Sequence, residues 1–244
     1  MNMFWDIMLY FGYPISIGLL VISALISANC QRTFNKYSKQ LAANGMTGAM
    51  AAQRILSAYG VNDVTIQHIS GNLTDNFSPK DKTLNLSDSV YASSSIAAVG
   101  VAAHECGHAI QHHVGFLPNK IRALLVPAAN IGSKFGLSIA MIGVILTGYL
   151  SYSDNGSSQL GLTLLNIGII MYAACVLFYL VTLPVELDAS RRALKILKND
   201  GLLAGAEMGG ARKVLSAAAM TYIASAASAL VMLLRLIAIS KRRD

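Results

Sequence analysis

The run VAAHECGHAIQHH, residues 101–113, sets two histidines four apart with a glutamate directly after the first. On an α-helix, residues four apart differ by about 40° in direction and one turn in height. His104 and His108 would therefore aim both imidazoles at one point, the arrangement that zinc accepts in the H-E-x-x-H pattern. Glu105 falls on the same side and reaches past the metal toward a bound water instead of ligating. A metal lowers the pKa of such a water, and the carboxylate removes its proton during attack on a carbonyl. The chemistry expected is hydrolysis of a peptide bond. Five residues with three fixed also arise by chance, so a third protein ligand is the test.

No third ligand follows directly on the same helix. The metzincin extension requires Gly at 111 and His at 114, where this chain has Gln111 and Val114. His112 continues the histidine face, but histidines at i, i+4 and i+8 spread over about 12 Å of helix axis and cannot converge on one ion. His112 and His113 read as solvated. The remaining source is PVELDASRRAL, residues 184–194. Whether it can reach the histidines depends on how the chain is laid out.

The 244 residues are 54% hydrophobic and only 13% charged, with mean hydropathy +0.52, which points to the membrane class. Four stretches approach the roughly 20 apolar residues that a spanning helix needs: 7–28, 123–150, 160–183 and 216–240. No Lys or Arg precedes the first, so it reads as a retained anchor and not as a signal peptide. ISANC resembles a lipoprotein box, but Asn29 stands where a small residue should precede Cys30. The three cysteines lack paired spacing and read as packing residues.

Eight of the 19 Lys and Arg lie between 29 and 122 and six between 184 and 215, with none in the polar loop 151–159. This alternation follows the positive-inside rule, with both basic regions on the cytoplasmic side of the cell (inner) membrane of a multi-pass protein. The net charge of +7 is not gathered on one polar face with interleaved aromatics, so nucleic acid is not an expected partner. The basic tail KRRD after the fourth apolar segment runs against the same rule.

Two residues can share a metal only if an even number of crossings separates them. Two lie between His108 and Glu186, so Glu186 returns to the histidines' face, just past the third apolar segment and at the start of a helix behind Pro184. Glu186 and Ser190 share one helical face. Glu186 is the expected ligand and Ser190 a hydrogen-bonding partner behind the ligands, with Asp188, pointing the other way, as the alternative. Arg191 and Arg192 suit headgroup or carboxylate contacts.

The intervening polar region has its own signals. MTGAMAAQRILSAYG predicts an amphipathic helix with Thr47 as N-cap and Gly60 as stop. VTIQHI (64–69) predicts a strand, and FSPKDKTLNLS (77–87) a turn and a second short strand. The H-E-x-x-H helix is expected to begin after Ser87 or Ser89. TLNLS (83–87) is the natural edge to which a substrate peptide would add as a further strand, with Asp75, Asn76 and Phe77 on the same rim. Tyr91, His68, His112, Arg191 and Tyr222 are the candidates to polarise a transition-state oxyanion. Pro127, Asn130 and Lys134 in the second apolar stretch favour an interfacial helix over 119–133, with the span starting near Phe135.

HECGHAIQH, the upstream GNLTDNFSPKDKTLNLS and the downstream LPVELDASRRAL together resemble the YugP-type membrane zinc metallopeptidases, as do LVPAANIGSKFG and GARKVLSAAAMTY. The resemblance implies a zinc-dependent, membrane-embedded protease with a cytoplasm-facing site. It implies His104, His108 and Glu186 as ligands of one zinc ion per chain and Glu105 as catalytic base. The chain is more distantly similar to membrane gluzincins whose second motif is Glu-x-x-x-Asp, with Ser190 at the aspartate's place.

The expected fold class is thus a mainly α-helical membrane protein with about four transmembrane helices and a small α+β zincin-like surface domain carrying the H-E-x-x-H helix. Residues 1–28 form the anchor, 29–122 the catalytic region, 123–183 a transmembrane hairpin, 184–215 the third-ligand helix, and 216–244 the fourth apolar segment and tail. Substrates would be proteins or peptides at the lipid bilayer. One alternative is a site-2-type intramembrane protease using Asp200 of Asn199-Asp200-Gly201. Against it, the apolar run before His104 is too short to span, and NDG between lysines reads as a helix-ending turn. The other is a zinc-stabilised scaffold, in which Glu105 would have no task and Cys106 would lie on the wrong helical face. A transporter is weaker still, since no pair of broken helices repeats.

Overall fold

A computed structural model describes residues 3–152 and 158–243. The polar loop expected at 151–159 falls mostly outside the described residues. The chain forms a mainly helical membrane protein with a small α+β part. Four helical stretches are long and apolar enough to cross a bilayer: Met3–Tyr37, Leu117–Gly148, Gln159–Asn199 and Gly205–Lys241. The contacts divide the chain into two compact units, one of Met1–Ala24, Ile121–Leu183 and Ile223–Asp244, the other of Leu25–Lys120 and Pro184–Tyr222.

The first unit is helical. It takes in the start of α1 (Met3–Tyr37), α4 (Leu117–Ile131) from Ile121 on, a π-helical turn (Gly132–Gly136) and α5 (Leu137–Tyr152), together with parts of α6 (Ser158–Asn199) and α7 (Gly205–Arg243). Residues 117–152 run through α4, the π turn and α5 as one helical path, and the exposed Lys134 sits in the π turn. A Cβ on Gly136 would come within 2.8 Å of the Tyr172 amide nitrogen, and one on Gly132 would strike the Met171 carbonyl. The two glycines thus let this path seat directly on the α6 backbone, as small residues do where no hydrophobic driving force separates helix from lipid.

The second unit holds the polar region. Thr47 caps α2 (Gly48–Ala58), accepting a hydrogen bond from the Met50 amide at 3.2 Å, and Gly60 follows the helix at φ +72. The strands are β1 (Thr65–Ile69), β2 (Asn76–Ser78) and β3 (Thr83–Ser87). β3 pairs parallel with β1 and antiparallel with β2, giving the order β1-β3-β2. TLNLS is therefore the central strand and not the edge expected for it: β1 pairs along all five residues and β2 along Thr83–Asn85. Alternation in the sequence marks Leu84 and Leu86 as inward-facing, and both are fully buried, but alternation carries no information on strand order.

α3 (Ile96–His113) starts later than Ser87 or Ser89 suggested. Its N-cap is Ser95, whose hydroxyl accepts from the Ala98 amide at 3.2 Å. α3 packs on α2 and the sheet, and its residues Ala98, Val99, Ala102 and Cys106 join Ile55, Leu84, Ile196, Leu197 and Leu215 in one core. Pro184 and Glu186 lie inside α6 and not at a helix start. The proline removes one i→i−4 bond, yet the helix carries through and ends at Asn199, with Asp200 and Gly201 (φ +65) forming the expected turn.

Candidate metal centre

Two helices of the second unit supply the site. Gly107, between the paired histidines in HECGH, makes their approach possible: a Cβ there would come within 2.7 Å of the Ala189 carbonyl oxygen on α6. With the helices this close, His104 Nε2 lies 3.3 Å and His108 Nε2 3.4 Å from the same Glu186 carboxylate oxygen. The three donor atoms all lie within 4.8 Å of one another. Zinc bound at about 2.0–2.1 Å to tetrahedral N and O donors separates neighbouring ligand atoms by roughly 3.3 Å. The two histidine–glutamate separations match that edge, and two borderline nitrogen donors with one hard anionic oxygen suit zinc.

Both imidazoles are held from behind. The Ser190 hydroxyl meets His104 Nδ1 at 3.2 Å, and Gln111 Oε1 meets His108 Nδ1 at 3.1 Å. The Gln111 amide nitrogen donates to the Val185 carbonyl at 2.8 Å and to the Asp188 carboxylate at 2.9 Å. Those two acceptors fix which end of the amide is oxygen. His108 Nδ1 must then carry a ring proton, which makes Nε2, on the Glu186 side, the nitrogen available to an ion. Asp188 also accepts from Arg192 Nε at 2.6 Å, so its carboxylate is engaged away from the histidines, and Arg192 makes the carboxylate contact expected of it.

Glu186 is 3% exposed and Glu105 7%. Burial pushes the Glu105 carboxyl above its ordinary range; His104 and His108 draw it down, while Glu186 and Asp75 add to the rise. Burial opposes protonation of His108, yet Glu186 and Glu105 together hold its pKa above the ordinary value.

His112 and His113 are exposed, His112 edge-on to Phe77 at 5.8 Å. His68 pairs with Asp88 at 2.7 Å and lies 5.1 Å from the Tyr91 ring. Asp75 accepts from both the amide and the hydroxyl of Ser87. Arg191 is exposed on α6, and Tyr222 is half-buried on α7. Asp200 is outside the His–His–Glu group, and its carbonyl accepts from Arg54. Cys106 faces α2, 3.7 Å from the Ala52 carbonyl.

Gln111 is the residue that sequence reasoning missed. It is fully buried and stands three residues after His108, one turn along the same face, which is the only local signal for it. Gln111→Ala is expected to lower zinc affinity about 10–100-fold, the usual cost of losing a partner that orients a ligating histidine. Competition against a chromophoric chelator checks this, and unchanged affinity in a folded variant would detach Gln111 from the site.

A multi-helix membrane chain with an H-E-x-x-H helix turned toward a glutamate of a second helix has the donor set of a membrane zinc metallopeptidase. The family model described as "Putative neutral zinc metallopeptidase" matches residues 13–241, and the chain belongs to that family. It is 39% identical over 225 residues to "Putative membrane protease YugP" of Bacillus subtilis (strain 168), covering 92% of this chain and 94% of that protein. No solved structure matches the chain significantly.

Proposed function

We propose that the protein is a membrane-embedded zinc endopeptidase that hydrolyses peptide bonds of membrane or membrane-associated proteins. The observation that carries this reading is the pair of imidazole nitrogens 3.3 and 3.4 Å from one buried Glu186 oxygen. His104, His108 and Glu186 would hold one zinc ion per chain. When bound, zinc supplies Lewis acidity: it makes a water acidic and polarises the scissile carbonyl. Glu105 takes the proton of the attacking water and returns it to the leaving amine. Ser190 and Gln111 keep both rings turned so that Nε2 faces the ion. The family and the named relative support the class of activity.

A substrate peptide needs a free strand edge, and β3 has none. β2 is the edge strand on the side of α3 that packs against the sheet, and Phe77 on it touches His112 of the H-E-x-x-H helix. We assign Asn76–Ser78 as the edge that receives substrate. Membrane substrates follow from sequence position: Glu186 lies three residues beyond the third apolar run. The charge alternation and the two crossings between His108 and Glu186 favour a cytoplasm-facing site in the cell (inner) membrane.

The test is proteolysis of casein by the full chain in detergent. Stripping with a chelator is expected to abolish cleavage, and one equivalent of zinc to restore it. Cleavage that survives metal removal would end the metallopeptidase reading.

A further inference from the structure

In the second unit, well away in sequence from the His–Glu site, α1 and α7 line a cavity of about 470 Å³. Three cations edge it: Lys36 on α1 and Arg212 and Lys213 on α7, all exposed. No acidic residue lines it. Among the described residues none of the three makes an ion pair. The nearest acid before them on α7, Glu207, is occupied with the Ala43 and Ala204 amides at 2.7 and 3.1 Å. The cavity therefore concentrates uncompensated positive charge.

The cavity is also graded from cationic to apolar. A Cβ on Gly210 would come within 2.8 Å of the Tyr37 ring, so Lys36 is level with Arg212 and Lys213. Ser216, Ala217 and Met220 then begin the apolar stretch of α7, opposite Thr33 on α1. The apolar run of α1 ends at Ala28. At 1.5 Å per residue, Thr33 and Lys36 lie roughly 8 and 12 Å beyond it, at the level of lipid headgroups. Basic pockets between spanning helices at this level take phospholipid headgroups.

We propose that this cavity is a binding site for one anionic phospholipid. Lys36, Arg212 and Lys213 hold its phosphate, Thr33 and Ser216 donate hydroxyl hydrogen bonds, and Ala217 and Met220 contact the start of an acyl chain.

Native mass spectrometry of the full chain in detergent, titrated with phosphatidylglycerol, tests this. A single tight adduct is expected, with phosphatidylcholine binding about tenfold or more weakly. Neutralising the cavity cations together (Lys36→Gln, Arg212→Gln, Lys213→Gln) is expected to weaken the adduct on the order of tenfold to a hundredfold. Removing three exposed cations elsewhere (Lys39→Gln, Lys80→Gln, Lys198→Gln) should leave it unchanged. Ser216→Trp keeps every charge, starts from an exposed position and fills the cavity, so it must also remove the adduct; it serves if the triple variant fails to fold. Equal losses in both triple variants, or binding that survives Ser216→Trp, overturns the proposal. Displacement of the lipid by millimolar inorganic phosphate would show a free-anion site instead and likewise overturns it.

Discussion

Glu105→Gln is expected to leave zinc content at the wild-type level and to reduce casein cleavage by about 10²–10⁴-fold, the range that a positioned general base contributes. Glutamine keeps the size and shape of the side chain, so the packing of α3 is preserved, and Glu105 is not one of the three grouped donors. What is lost is the capacity to take a proton. A neutral amide at this 7% exposed position also avoids the desolvation that raises the carboxyl's pKa, so the variant should be no less stable than the parent. Metal analysis and proteolysis must be read on the same sample. Retained metal with lost cleavage separates catalysis from binding. Wild-type cleavage by the variant would remove Glu105 from the mechanism, and a zinc-stabilised scaffold would then be the better reading.

What the sequence made legible follows the range of the forces involved. Thr47, Gly60 and the Asp200–Gly201 turn act within a few residues of themselves, and each sits where its side chain or its φ angle demands. The imidazole pair is equally local, fixed by helical pitch. The contact between Ser190 and His104 could be anticipated because Ser190 stands one turn from Glu186. Other features depended on partners distant in sequence. Ser95 outcompetes Ser87 as the cap because Ser87 is already used by β3 and by Asp75. β3 is central because β2 folds back on one side of it while β1 takes the other. Gln111 reads as a polar residue failing a motif until α6 brings Val185 and Asp188 to its amide nitrogen. Gly107 falls on a variable position of H-E-x-x-H, yet its missing side chain is what allows Ala189, and with it Glu186, to come near.

Glu186→Ala should cost far more zinc than the loss of a supporting partner. Zinc bound by a full shell of protein ligands gains about 10–16 kcal/mol, so one of three donors carries several kcal/mol, and affinity should fall by roughly a hundredfold or more. The carboxylate also supplies the only negative charge among the three donors, so Glu186→Gln, which keeps the shape, should recover little. Asp200→Ala, at the turn closing α6, should leave zinc binding intact, because its carboxylate is outside the group that meets the histidines. The two variants discriminate cleanly. If Asp200→Ala releases the metal and Glu186→Ala does not, the third ligand comes from the Asp-Gly turn and the site is of the intramembrane site-2 kind. If only Glu186→Ala does, the ion is held where a long helix leaving the third apolar run passes within a tetrahedral edge of two imidazoles, and the crossing count between positions 108 and 186 gains a chemical reason.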